Sequence, residues 1–272
     1  MALLHVSFFS KTLMRTIPLS VYLPSDAVDF NNQYLSEGPY KALVLLHGVL
    51  GSDQDWVNQT RILRYAKEKN LALIMPSGEN HFYVDQPRNY TNYGEFIGVE
   101  LPEISRRMFP ISRKREDLGI AGLSMGGLHT IAISANNPTM FDYVGLFSPQ
   151  SINPLTDKNI MHIQKVNAQV EKIKDKLPDW LKQKYEKGKD VVEDVDVYQN
   201  LDNKLKNQFK TPPQLYYIAI GRKDPLKTFL DKFRKRLSKQ GATYLYNETD
   251  GAHSWENWRK YLLDFLPRIF NY

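Results

Sequence analysis

The 272-residue chain contains no cysteine. That absence excludes disulfides, thiolate metal sites and a cysteine nucleophile together. It fits a reducing compartment, and a cytoplasmic location is the expectation. No apolar run is long enough to span a bilayer, so membrane insertion is not expected. The opening segment Met1–Phe9 is apolar but interrupted by His5 and Ser7. It lacks a basic lead-in and a small-residue cleavage site, so it reads as a strand and not as a signal peptide. Charge of one sign is also scarce: 36 basic residues stand against 30 acidic ones, and the resulting +6 is dispersed. Such a balance affects solubility and steering but implies no nucleic-acid partner. The densest basic runs are Arg113-Lys114-Arg115 and the segment Lys232 to Arg236. The second alternates with Phe229, Phe233 and Leu237, read as a buried stripe, which leaves its charges on a solvated face. None of the six histidines pairs with another at metal-ligand spacing, so a catalytic metal is not expected.

What is present is enough for a large core, since hydrophobic residues make up 42% of the chain. Two strand-like segments open it, Leu4 to Ser10 and Thr16 to Leu23. The continuous apolar run Ala42 to Leu46 then reads as a strand buried on both faces. From there strands and helices alternate. Trp56 to Glu68 is helical in pattern and Leu71 to Met75 is a strand. Phe96 to Met108 is a helix in which Pro102 is an early-turn residue or a kink. Strands follow at Leu118–Ala121, Tyr143–Phe147, Leu215–Ile220 and Thr243–Tyr246, and helices at Leu226–Ser238 and Trp255–Phe270. Strand–helix alternation implies an α/β fold, a mostly parallel sheet with helices on both faces. Residues 1–272 are read as one domain. Residues 151–210 interrupt the rhythm as a helical insertion, with Ile160, Ile163, Val166, Val170, Ile173 and Leu177 on one helical stripe. The insertion lies between two core strands, where α/β sheets bind ligands, and is expected to form a cap.

Gly122-Leu123-Ser124-Met125-Gly126 fits G-x-S-x-G. An apolar strand enters it and a helix of small residues leaves it, as in a nucleophile elbow. Ser124 would then stand clear of the sheet at a helix N-terminus, where the dipole favours developing negative charge. A serine hydroxyl needs a base to take its proton. His253 is the best candidate, since it follows the last strand and precedes the final helix. His47 reads as a loop-shaping residue and His129 as a packed one. An acid must orient the base. Asp224, after the strand Leu215–Ile220, is preferred over Asp250, which lies only three residues from His253. Two backbone N–H groups are expected to receive an oxyanion. Met125 supplies one. Val49, or secondarily Leu50, supplies the other from the loop after Leu45-Leu46-His47-Gly48.

These residues resemble the esterase D and tributyrin esterase branch of the α/β-hydrolase superfamily. The resemblance rests on Leu-Leu-His-Gly at 45–48 with Gly51 and Asp55-Trp56, Gly-Leu-Ser-Met-Gly-Gly at 122–127, Gly-x-x-Asp at 221–224 and His-Ser-Trp-x-x-Trp at 253–258. The opening strands, Arg15 and Glu100-Leu101-Pro102 are also similar, so the match runs nearly the whole chain. It implies an α/β-hydrolase fold and cofactor-free hydrolysis of short-chain acyl esters, with Ser124 as nucleophile, His253 as base, Asp224 as acid, and Val49 and Met125 as oxyanion donors. The chain departs from the family around the acid. Lys223-Asp224-Pro225 stands where Glu-Asp or Gln-Asp and an aromatic are usual.

Tyr83, Tyr90 and Tyr93 follow a strand end and should border the site, either lining an acyl or aryl pocket or packing on the next helix. Trp255 either shields His253 or anchors the last helix. The expected partner is a small-molecule ester, with a homo-oligomer open. Three functions compete: a serine carboxylesterase working through an acyl-enzyme, an S-formylglutathione hydrolase, thioesterase or other acyl-transfer enzyme on the same fold, and a non-catalytic binding protein. No serine has a lysine three residues later, which disfavours a serine–lysine mechanism.

Overall fold

The computed structural model describes residues 2–34, 37–79, 83, 85, 90–149, 204–206 and 215–270. Eight strands form one sheet: β1 (Ala2–Ser10), β2 (Arg15–Leu23), β3 (Lys41–Leu46), β4 (Leu71–Pro76), β5 (Leu118–Leu123), β6 (Tyr143–Phe147), β7 (Leu215–Gly221) and β8 (Tyr244–Thr249). Their spatial order is β1-β2-β4-β3-β5-β6-β7-β8. Pairings β1–β2 and β2–β4 are antiparallel, and the other five are parallel. Chain order reverses between β3 and β5. At such a switch point the loops leaving the two strand ends diverge and open a crevice.

Apart from Lys41 at the start of β3, the strands β3 to β7 carry no charged residue, because both faces are covered. Side-chain alternation divides them between two cores. Val44, Leu46, Ile120, Val144 and Ile218 face α4 (Leu101–Met108), α5 (Met125–Asn136) and α6 (Lys227–Lys239). Leu43, Leu45, Leu73, Phe147 and Tyr217 face α1 (Asp55–Gln59), α2 (Ile62–Glu68) and α7 (Trp255–Phe265). Fully burying one such side chain contributes about 1.5–3 kcal/mol.

Four local departures have physical causes. The helix expected from Trp56 to Glu68 is two helices, because Thr60 is extended (φ −137, ψ 179). Its hydroxyl bonds back to the Trp56 carbonyl and accepts the Ile62 N–H at 3.0 Å. The helix expected from Phe96 starts earlier, as the turn α3 (Tyr93–Glu95), and passes through a π-helical turn, Phe96–Glu100, into α4. Pro102 has no N–H for the Gly98 carbonyl and its ring would crowd that group, so the wider turn relieves both problems. The last helix stops at Phe265 and tightens into a 3-10 turn, Leu266–Arg268, at Pro267. On α6 the buried stripe is Leu230, Phe233 and Leu237, while Phe229 is exposed. The expected cap at 151–210 lies outside the described residues except for 204–206, where Leu205 is fully buried in the first core.

The β1–β2 hairpin is secured to the helical layer by Glu100. Its buried carboxylate accepts the Ser10 hydroxyl at 2.6 Å and the Lys11 and Thr12 N–H groups at 2.8 and 3.1 Å. Burial works against the charge, but these donors prevail and hold the carboxyl below its usual range. Glu100→Gln replaces an acceptor by a donor facing donors. Expected is a loss of about 2–3 kcal/mol and a melting temperature roughly 5 °C or more lower, checked by calorimetry at pH 7.

Candidate active site

Ser124 lies between β5 and α5 with φ 51 and ψ −114, a conformation that a non-glycine residue holds only under constraint. Close backbone approaches supply the constraint. A Cβ on Gly122 would lie 2.5 Å from the Gly126 carbonyl carbon, and one on Gly126 would lie 2.6 Å from the His47 oxygen. The Ser124 N–H donates to the Phe147 carbonyl at 2.9 Å, which ties the turn to the neighbouring strand.

Three of the expected side chains meet here. Ser124 Oγ is 3.0 Å from His253 Nε2, and His253 Nδ1 is 2.9 Å from Asp224 Oδ2. With Nδ1–H donated to the carboxylate, Nε2 is free to accept the serine proton. Asp224 is buried, and its Oδ1 accepts the Leu226 N–H at 2.9 Å across Pro225. Burial alone would raise its pKa. The His253 ring, the Leu226 N–H and the nearby Ser148 hydroxyl instead hold it below the usual carboxylate range. Ser148, itself at φ 44, is close enough to bias that charge without completing a hydrogen bond of ordinary geometry. Asp250, the rival acid, points away and pairs with Arg222 on the surface.

The loops bearing acid and base are joined through backbone atoms. Arg222 N–H donates to the Thr249 carbonyl at 2.8 Å, and Lys223 N–H to the Gly251 carbonyl at 3.0 Å. A Cβ on Gly221 would lie 1.9 Å from the Gly251 oxygen, so the glycine there permits the contact.

The loop after β3 is held by His47, which is buried. His47 Nε2 accepts the Gly78 N–H at 2.8 Å, so the ring proton is on Nδ1, which donates to the Gly48 carbonyl at 2.7 Å. In a trans peptide the N–H opposes the carbonyl, so fixing the Gly48 oxygen also fixes the direction of the Val49 N–H. Gly51 N–H reaches the same oxygen at 3.2 Å, with Leu50 in the left-handed region (φ 63). The Val49 and Leu50 side chains are exposed at this edge. Asp55 accepts the Ser52 N–H at 3.1 Å, Asp53 accepts the Ser20 hydroxyl at 2.5 Å, and Trp56 donates to the Leu46 carbonyl at 3.2 Å. The Gly51, Asp55 and Trp56 pattern is thus the frame of this loop. Met125, the other expected donor, opens α5, and its side chain is fully buried.

The aromatic residues divide differently from a pocket lining. Tyr83 and Tyr93 are buried, so they take the packing role. Tyr83 stands edge-on to Tyr93, with its ring 5.7 Å from His47 and 6.1 Å from His129. Tyr90 is exposed. Trp255 packs edge-on against Trp56 and Trp258, both at 5.3 Å, and so anchors the last helix. The ring beside His253 is Trp258, at 5.0 Å and 89°. Trp258 is itself buried, in the second core. Among the described residues no group of His, Asp and Glu could hold a metal ion, and no helix is long and apolar enough to cross a membrane.

Sheet order, elbow and the Ser124–His253–Asp224 array together define a hydrolase of the α/β-hydrolase fold. The chain belongs to the esterase family described as "Putative esterase", whose model matches residues 10–269, and it is an ester hydrolase. It is 32% identical over 267 residues to an acetyl esterase from Caldicellulosiruptor saccharolyticus, covering 96% of each chain. Two Staphylococcus aureus structures are also similar. One is the S-formylglutathione hydrolase FrmB, at 26% identity and TM-score 0.74, with 98% of each chain covered. The other is FphF, a fluorophosphonate-binding serine hydrolase, at 25% identity and TM-score 0.74, covering 98% of this chain and 97% of that one.

His129, buried in α5, donates from Nδ1 to the Met125 carbonyl at 2.9 Å, and burial lowers its pKa from 6.5 to about 4. A group with a depressed folded pKa leaves the unfolded chain binding more protons as pH falls, so stability is lost on acidification. The window runs from about pH 6.5 down to about pH 4, and the loss approaches roughly 3 kcal/mol. The buried His47, also depressed chiefly by burial, acts in the same direction. Chemical denaturation across this range should show the decline, and a His129→Gln variant should show a shallower one.

Proposed function

We propose that the chain is a serine carboxylesterase acting on short-chain acyl esters through an acyl-enzyme. The observation that carries this reading is the continuous array from Ser124 through His253 to Asp224, at 3.0 and 2.9 Å. Ser124 Oγ attacks the ester carbonyl while His253 Nε2 takes its proton, and Asp224 stabilises the resulting imidazolium. The developing oxyanion is received by the Val49 and Met125 N–H groups, aided by the N-terminus of α5. His253 then gives its proton to the leaving alcohol. A water attacks the acyl-enzyme by the same base, releasing the acid and restoring Ser124. The acetyl esterase relative supports a small acyl group, as does the likeness to tributyrin esterases.

A second reading is thioester hydrolysis of the S-formylglutathione type, favoured by the Staphylococcus aureus neighbour that aligns over 98% of the chain. The same array serves it, with a thiolate in place of the alcohol as leaving group.

Initial rates on acyl esters from acetyl to dodecanoyl, beside S-formylglutathione, decide between them. The expected result is an optimum at acetyl to butyryl esters, with kcat/KM for the thioester lower. A higher thioester value selects the second reading, and a flat or long-chain profile overturns the first. Ser124→Ala should lower kcat by about 10³-fold or more while leaving the melting temperature close to that of the parent. Turnover near the parent's would remove Ser124 from the nucleophile's role.

A further inference from the structure

We propose that Asn257 is a positioning residue for the base, acting through the backbone on both sides of His253; this rests on the reading of His253 given above. Asn257 lies in the first turn of α7 and is 4% exposed. Its Nδ2 donates twice, to the Ala252 carbonyl at 2.9 Å and to Ser254 Oγ at 3.1 Å. These groups belong to the residues immediately before and after His253. The same side chain lies flush against Gly251, where a Cβ would come within 1.8 Å of Asn257 Oδ1. Gly251 in turn accepts the Lys223 N–H of the acid loop. One amide therefore holds three of the four residues adjoining His253 and, through them, its distance to Asp224.

Two details separate this from ordinary helix capping. Ser254 is the N-cap of α7, a position where a serine oxygen normally accepts a backbone N–H of the first turn. Here it makes no such bond and takes the Asn257 side chain instead. Asn257 Oδ1 is also buried without a hydrogen-bond partner, a cost that a residue chosen only for packing would avoid. The amide orientation is dictated by Ala252, whose carbonyl demands a donor. An aspartate has the same shape and no donor.

The test compares Asn257→Asp with the parent and with His253→Ala. Expected is a fall in kcat of about 10–100-fold with KM within about twofold, the scale for a reacting group displaced by a fraction of an ångström. The far-downfield proton resonance of the His253 Nδ1–H bonded to Asp224 should weaken or vanish, which a merely structural role would not produce in a folded variant. If Asn257→Asp does not fold, Ser254→Ala removes one anchor from a half-exposed position and should lower kcat about threefold with the same spectral change. Parent-like kcat and resonance in the folded variants, with His253→Ala inactive, overturn the proposal. An active His253→Ala overturns instead the assignment of the base.

Discussion

At Ser124 the backbone is held where an L-residue rarely rests, and most of the site follows from what holds it there. A turn that sharp brings the start of α5 against the strand it leaves, so neither Gly122 nor Gly126 has room for a side chain. Gly126 also lies against the His47 carbonyl, so the same turn presses on the loop after β3. The nucleophile's position and the oxyanion loop's position are therefore one packing problem. The parallel register extends it sideways. The Ser124 N–H bonds to the end of β6, and the Ser148 N–H to the Ala219 carbonyl near the end of β7, where the acid loop begins.

Much of this was legible in the sequence. Apolar runs marked the central strands β3 to β7, because strands buried on both faces have no polar face to disguise them. The elbow glycines announced themselves, since close backbone approach admits no other residue. Chain order admits both Asp224 and Asp250; the three-residue spacing of Asp250 from His253 is what set it second, and in the structure Asp250 pairs with Arg222 on the surface.

The unread parts share a cause: they depend on which backbone group a side chain reaches. Nothing in Leu-Leu-His-Gly states that the His47 ring would bridge Gly78 and Gly48 and thereby fix a peptide plane. Nothing in the sequence marks Asn257, between two tryptophans, as a residue whose amide brackets His253. For Tyr83 and Tyr93 the sequence leaves pocket lining and packing equally open, and only the structure shows the Tyr83 ring against His47 and His129, with Tyr93 edge-on to it. Pro102 was recognised as disruptive, but whether it kinks a helix or is absorbed by a wider turn depends on the neighbours of Gly98.

The joint between acid and base loops has a consequence for comparing related chains. Lys223 enters it through its N–H group, Arg222 through its N–H and its side-chain pair with Asp250, and Gly221 and Gly251 through the room that a missing side chain leaves. Pro225 shapes the turn that lets the Leu226 N–H reach Asp224. The exposed side chain at 223 is thus a spectator to the joint it helps to form. Substitution at 223 can therefore range widely while the geometry stays constant, so a lysine can stand where the family this chain resembles usually has Glu or Gln. A column of an alignment that looks divergent at this point can conceal an unchanged mechanical coupling, and one alanine at either glycine would break it.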